Sequence, residues 1–277
     1  MTMHVWQASL LGLLQGLTEY LPVSSSAHLV LLQTLLQLHN TLQPKALFLF
    51  DVLVQLGSVV GLVAYFAWEC VHQPPTQLIE PRKHMVGLFT WVLLGLWVAA
   101  ACVPAGVVGL LYKSDIERLL GSSKVAAALL MVTAAVLWLA EWRAARTRQR
   151  LSRVPLWVAV WMGLAQVLAL LPGVSRSGST IAAGMFVGLQ RPTAARFSFL
   201  MAIVALTGAT LVCLPELFAD RQLLQQMAWP LLVGFSTAAV SGYVVVFWFL
   251  RFIQHNSLRP FALYCLLLAV VGLVFSP

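Results

Sequence analysis

Apolar residues in this chain gather into long continuous runs, with little of the alternation that marks a half-buried helix face or strand. Six runs, near residues 46–68, 85–112, 122–142, 195–218, 229–253 and 258–276, have the length of membrane crossings, since a hydrocarbon core of about 30 Å takes about 20 helical residues. Two further apolar regions, 3–38 and 154–190, are broken midway by polar stretches that contain proline, Leu21-Pro22-Val23-Ser24-Ser25-Ser26 and Pro172-Gly173-Val174-Ser175-Arg176-Ser177-Gly178-Ser179-Thr180. Each half is short for a crossing. The pattern therefore predicts helix, loop, helix hairpins that enter and leave on the same side of the membrane.

The broken regions resemble each other. At a constant offset of 151, Gly12, Gln15, Val23, Ser24 and Ser26 match Gly163, Gln166, Val174, Ser175 and Ser177, and each region is followed by three long apolar runs. This predicts a duplication, with repeat one over 1–142, repeat two over 154–277 and a linker over 143–153, all in a single membrane domain. Three crossings per repeat is an odd number, so the second copy is expected to be inverted relative to the first. Irregular backbone at membrane depth has to be buried in protein or face water, which two loops meeting near the midplane would satisfy. The expected fold class is thus an all-α polytopic membrane protein, six transmembrane helices plus two re-entrant hairpins in an inverted-topology repeat.

Composition supports the membrane reading. Sixty per cent of the 277 residues are hydrophobic and nine per cent charged, whereas soluble chains carry about a quarter charged residues. The net charge of +8 lies in short gaps between apolar runs with no aromatic-interleaved patch, so no nucleic-acid partner is expected. On the six-crossing scheme one side carries Arg82, Lys83, Arg143, Arg146, Arg148, Arg150, Arg153, Arg191, Arg196, Arg251 and Arg259, and the other Lys45, Lys113, Arg118, Lys124 and Arg221. The excess of 11 over five makes the first side cytoplasmic and puts both termini outside. Cys70, Cys102, Cys213 and Cys265 lie far apart without a CxxC or Cys/His cluster, which argues against zinc and disulfides. The apolar N-terminal stretch lacks a basic n-region and a clear cleavage site, so it is not expected to be a removed signal peptide.

Against this background Glu19, His28, Asp51 and Arg176 stand out, because an ionisable group in lipid costs about 2.5–3.5 kcal/mol on insertion scales. Gln15 and Glu19, four apart, share a helix face that leads to the first break. Ser24, Ser25 and Ser26 stand where the next half-helix begins, and His28 lies one turn inside it. A helix N-terminus offers free N–H groups and partial positive charge, suited to phosphate. In the second break Ser175, Ser177, Ser179 and Thr180 bracket Arg176, whose fork of donors matches phosphate oxygens. A diphosphate is the ligand that uses all of these groups, with the carboxylates holding a divalent cation or accepting a proton. Simpler roles are open for each: the serines as helix caps, Arg176 as an ion-pair partner of Glu19, His28 as a packing residue, Asp51 at the interface, and Gln15 and Gln166 as helix crosslinks.

At these residues the chain resembles the undecaprenyl-diphosphate phosphatase, or bacitracin-resistance, family, over essentially its whole length. Gln15-Gly16-Leu17-Thr18-Glu19-Tyr20-Leu21-Pro22-Val23-Ser24-Ser25-Ser26-Ala27-His28 and Leu171-Pro172-Gly173-Val174-Ser175-Arg176-Ser177-Gly178-Ser179-Thr180 carry the resemblance, with Gln55-Leu56-Gly57-Ser58 and Arg196-Phe197-Ser198-Phe199-Leu200 in support. It implies hydrolysis of undecaprenyl diphosphate to the monophosphate and inorganic phosphate at the outer face of the bacterial inner membrane, which recycles the lipid carrier of cell-wall synthesis. It also implies support by Mg²⁺ or Ca²⁺, and a homodimer is compatible with it. The family's acidic motif corresponds to Gln15 and Glu19, its serine and histidine to Ser25 and His28, and its arginine to Arg176. Gln15 stands where many members have Glu, Ser26 where Thr is common, Asp51 where Glu is frequent and Val204 where Pro is often found.

The resulting expectation has Ser25, His28, Glu19 and Arg176 as catalytic residues. Ser25 or His28 would attack phosphorus while the other assists proton transfer. Ser24, Ser26, Ser175, Ser177 and Thr180 would bind phosphate, and Glu19 with Gln15 would hold the metal. A polyprenyl-phosphate carrier shares the broken-helix plan. A type 2 phosphatidic-acid phosphatase would need a further His soon after Arg176, and the next is His255.

Overall fold

The computed structural model describes residues 3–72, 88–113, 115, 122–147, 151–218 and 220–275. Among these the chain is helical, and the extended structure is an isolated parallel bridge between Leu151 and Leu189. The helices are α1 (Val5–Glu19), α2 (Ser25–Leu35), α3 (Leu38–Thr41), α4 (Pro44–His72), α5 (Leu88–Leu111), α6 (Ser123–Arg146), α7 (Leu156–Leu168), α8 (Arg176–Phe186), α9 (Arg191–Phe218), α10 (Arg221–His255) and α11 (Arg259–Phe275). Of the charges used to orient the chain, Arg82, Lys83, Arg118, Arg148 and Arg150 lie outside the described residues, as does part of the 143–153 linker.

Five helices, α4, α5, α6, α9 and α10, are long and apolar enough to cross a membrane. The sixth expected crossing, 258–276, is the 17-residue α11, about 25 Å at the helical rise and so just under the usual span. Both broken regions do divide into pairs of short helices, α1 with α2 and α7 with α8, of 15, 11, 13 and 11 residues.

Close helix packing explains the glycines of α1 and α4. A Cβ on Gly12 would sit 2.2 Å from the Gly234 carbonyl oxygen and one on Gly16 2.4 Å from that of Ala238. On α4, Gly57 and Gly61 bear on the Phe235 and Ala239 carbonyls in the same way. Two small-xxx-small stripes thus let α1 and α4 rest backbone to backbone on α10, the contact that replaces hydrophobic driving force in lipid. The equivalent helix of the second pair, α7, packs on α5, with Gly163 against the Ala101 carbonyl. Helices α6 and α11 pack on each other.

Candidate functional site

Each break is made by residues that cannot continue a helix. Pro22 supplies no N–H, and the chain turns through Val23 N–H to Leu21 O, 2.8 Å. In the second break Gly173 adopts φ +91, and a Cβ there would lie 2.2 Å from the Ala126 carbonyl oxygen. Backbone groups freed at the breaks find partners, as burial demands. Thr133 Oγ1 donates to Gly173 O and accepts from Ser175 N, at 3.0 and 2.9 Å.

The two breaks meet. Ser177 Oγ donates across to Leu21 O at 2.8 Å, and Gly173 N to Ser26 Oγ at 3.5 Å. Arg176, the first residue of α8, reaches Glu19, the last of α1, with Nη2 2.8 Å from Oε1. The other carboxylate oxygen, Oε2, accepts from Ser25 Oγ at 2.6 Å and from Gln15 Nε2 at 2.8 Å. Glu19 is 8% exposed, so these partners are what make a buried carboxylate affordable.

This arrangement lines up a hydroxyl, a carboxylate and a guanidinium. Ser25 has its proton aimed at an acceptor, the geometry of a nucleophile beside its base. Arg176 Nε and Gln15 Oε1 are buried with no hydrogen-bond partner among the described residues, one a donor and one an acceptor, both available to a ligand. The helix N-termini at the site differ. Ser175 Oγ caps α8 by accepting from Gly178 N at 3.0 Å. Ser24 gives α2 no side-chain cap and sits at φ 65, leaving the first amides of α2 open for an anion.

The expected phosphate-binding hydroxyls are unequally free. Ser24 Oγ and Ser26 Oγ share a 3.2 Å contact, whereas Ser175 and Ser177 hold each other at 3.1 Å. Thr180 Oγ1 bonds Arg176 O at 2.8 Å and Ser198 Oγ at 2.6 Å, fully buried. Asp51 accepts from Gln33 Nε2 at 2.7 Å, a bond between α4 and α2. His28 is not joined to Ser25: its Nδ1 meets Ser24 O and its Nε2 meets Tyr264 Oη, both at 2.7 Å.

Two further ion pairs among the described residues, each with a buried acid and a partly exposed arginine, revise the sequence reading. Arg196 pairs with Glu69 at 2.7 Å, and Arg191 makes a two-pronged contact with Glu141, Nε to Oε1 at 2.8 Å. Glu141 Oε1 also accepts from Leu258 N at 2.8 Å, tying α6, α9 and the start of α11 together. Both arginines were expected in loops, and neither acid among the buried ionisable groups. They lie on helices because each has an opposite charge on another helix, 127 and 50 residues away in the chain. Thr133, Ser198 and Tyr264 were also missed. Only Ser198 carried a signal, as part of the Arg196 motif.

Comparison with known proteins agrees with this geometry. The family model described as bacitracin resistance protein BacA matches residues 8–271. The undecaprenyl-diphosphatase of Geotalea daltonii is 38% identical, over 99% of this chain and 98% of its own. That of Pelobacter propionicus is 39% identical over 99% and 98%, and that of Methanobrevibacter smithii 36% over 97% and 96%. With the Glu19 and Arg176 motifs joined in one site and the match spanning nearly the whole sequence, this chain belongs to the bacitracin resistance protein BacA family.

Proposed function

We propose that this protein is an integral membrane phosphatase that hydrolyses undecaprenyl diphosphate to undecaprenyl phosphate and inorganic phosphate. The observation that carries the reading is the Ser25 hydroxyl donating at 2.6 Å to Glu19, whose other oxygen is held by Arg176 at 2.8 Å. Relatives named undecaprenyl-diphosphatase over almost their full length support the substrate.

In the reaction, Ser25 Oγ attacks the terminal phosphorus and its proton passes to Glu19. The anhydride P–O bond breaks with its electron pair going to the lipid monophosphate. Open amides at the start of α2 and the unpaired Arg176 Nε take the charge on the transferring phosphoryl group. Water then adds to the phosphoserine, and Ser25 Oγ leaves with the proton held on Glu19. The proton of the water departs with phosphate.

A divalent cation, Mg²⁺ or Ca²⁺, fits this donor set if it is shared with the substrate. Gln15 Oε1, the unpartnered amide oxygen, and Glu19 would hold it, and the diphosphate would complete its oxygen shell. Bound there, it would offset phosphate charge. Among the described residues no group of three or more His, Cys, Asp or Glu gathers to hold a metal.

We also read the chain as six crossings and two re-entrant hairpins in an inverted repeat, with the site open to the outer face of a bacterial inner membrane. The matching placement of α1 on α10 and α7 on α5 supports the repeat, and the charge asymmetry supports the orientation. Phosphate release from polyprenyl diphosphates by purified protein in detergent tests the function: a carrier without phosphatase activity releases none.

A further inference from the structure

His28 stands outside the line of Ser25, Glu19 and Arg176, yet it is held more closely than packing requires. It is 6% exposed, and both ring nitrogens are engaged. Nδ1 lies 2.7 Å from the Ser24 carbonyl oxygen, which can only accept, so Nδ1 carries a proton and in the neutral ring Nε2 keeps the lone pair. Ser24 reaches this position at φ 65, one of two non-glycine residues at positive φ among the described residues. Strained backbone of this kind gathers at functional sites, and here it ends in a carbonyl that sets the histidine tautomer.

The Nε2 lone pair is met by the Tyr264 hydroxyl at 2.7 Å. The two rings lie nearly parallel, with centroids 5.6 Å apart and planes 11° from each other. Tyr264 comes from α11, 236 residues along the chain. It is 45% exposed while the imidazole is buried, so the phenol is the group between Nε2 and the surroundings of the helix bundle.

We propose that Tyr264 is a positioning residue for the phosphatase site: its hydroxyl holds the Nε2 lone pair of His28 and its ring holds the plane of the imidazole. This rests on the phosphatase reading. Ser24 and Tyr264 then act as a matched pair. One decides which nitrogen bears the proton, and the other decides where the remaining lone pair points. With both nitrogens engaged, His28, four residues from Ser24 and three from Ser25, holds the Ser24 carbonyl and with it the open α2 terminus at which Ser25 stands. A phenylalanine at 264 keeps the stacked ring and removes the donor; a leucine removes both.

Two measurements on full-length protein in detergent test this. In steady-state phosphate release, Tyr264→Phe is expected to lower kcat about tenfold, the scale of one lost hydrogen bond, with KM within about twofold. Tyr264→Leu should lose more, and Tyr264→Phe should add nothing in a His28→Ala background. In ¹⁵N-histidine-labelled protein, with His28 assigned from the His28→Ala spectrum, Tyr264→Phe should move the Nε2 resonance toward that of an unbonded imidazole. Wild-type or higher kcat in Tyr264→Phe, an unmoved Nε2 resonance, or an equal loss in the His28→Ala background would overturn the assignment. If wild-type protein releases no phosphate, the phosphatase reading fails instead, and the imidazole resonance still judges the contact itself.

Discussion

Arg176 is the residue at which a structural and a chemical role can be separated by experiment. Its Nη2 holds Glu19 at 2.8 Å, Nη1 approaches Ser198 O at 3.5 Å, and Nε is buried without a partner. Arg176→Lys keeps the charge and a route to Glu19 but supplies a single ammonium, so the fork that could hold Glu19 and a phosphoryl oxygen together is lost. Losing one preorganised electrostatic donor lowers kcat by about 10²-fold, or about 2.7 kcal/mol. The melting temperature, followed by tryptophan fluorescence, should change little. Arg176→Ala differs, because it leaves the Glu19 carboxylate, 8% exposed, without its counter-charge, a loss of about 3–5 kcal/mol in stability. Adding Glu19→Ala to Arg176→Ala removes both charges and should restore much of that stability while phosphate release stays near background. Residues in direct contact couple strongly, so a non-additive stability term is expected in the cycle. A double variant with near wild-type turnover would refute the chemistry assigned to both residues and leave only a crosslink between the two hairpins.

Other expectations follow from the same site. Glu19→Gln keeps the shape of the side chain but cannot take the Ser25 proton, so kcat should fall by about 10²- to 10⁴-fold, measured by phosphate release; a smaller loss would move the base elsewhere. Chelation by EDTA should suppress turnover, and Gln15→Glu, which turns a neutral amide into a second carboxylate, should shift the activating-metal titration to lower Mg²⁺ or Ca²⁺ concentration; activity indifferent to chelator would remove the cation. A cysteine placed at Arg143 in a background free of native cysteines should resist a membrane-impermeant thiol reagent in intact cells, and rapid labelling would invert the proposed topology.

Much of the architecture was legible because it rests on local composition. Long apolar runs announce crossings, and Pro22 and Pro172 with their serines announce breaks, since the missing N–H of proline acts on its own neighbourhood. Gln15 and Glu19 could be placed on one face from their spacing, and the structure joins them at 2.8 Å. What escaped depends on distant partners. Glu69 and Glu141 sit near run ends, where a charge looks interfacial until Arg196 and Arg191 are found on another helix. Tyr264 lies inside an apolar run with no local mark of its bond to His28. The shared role of the break serines also could not be divided in advance: Ser175 is spent as a cap, while Ser24 leaves its helix end open, a difference set by backbone dihedrals and not by residue type.

Among the described residues, the ion pairs whose acid is buried have a direction along the chain. Glu19, Glu69 and Glu141 all precede their arginines, Arg176, Arg196 and Arg191, by 157, 127 and 50 residues. The first half of the protein is therefore synthesised with acids whose counter-charges do not yet exist, and an unpaired charge is costly to place in lipid. Those acids meet their counter-charges only once the second half is made. The early half is thus an unfinished surface that the arginines of the late half complete.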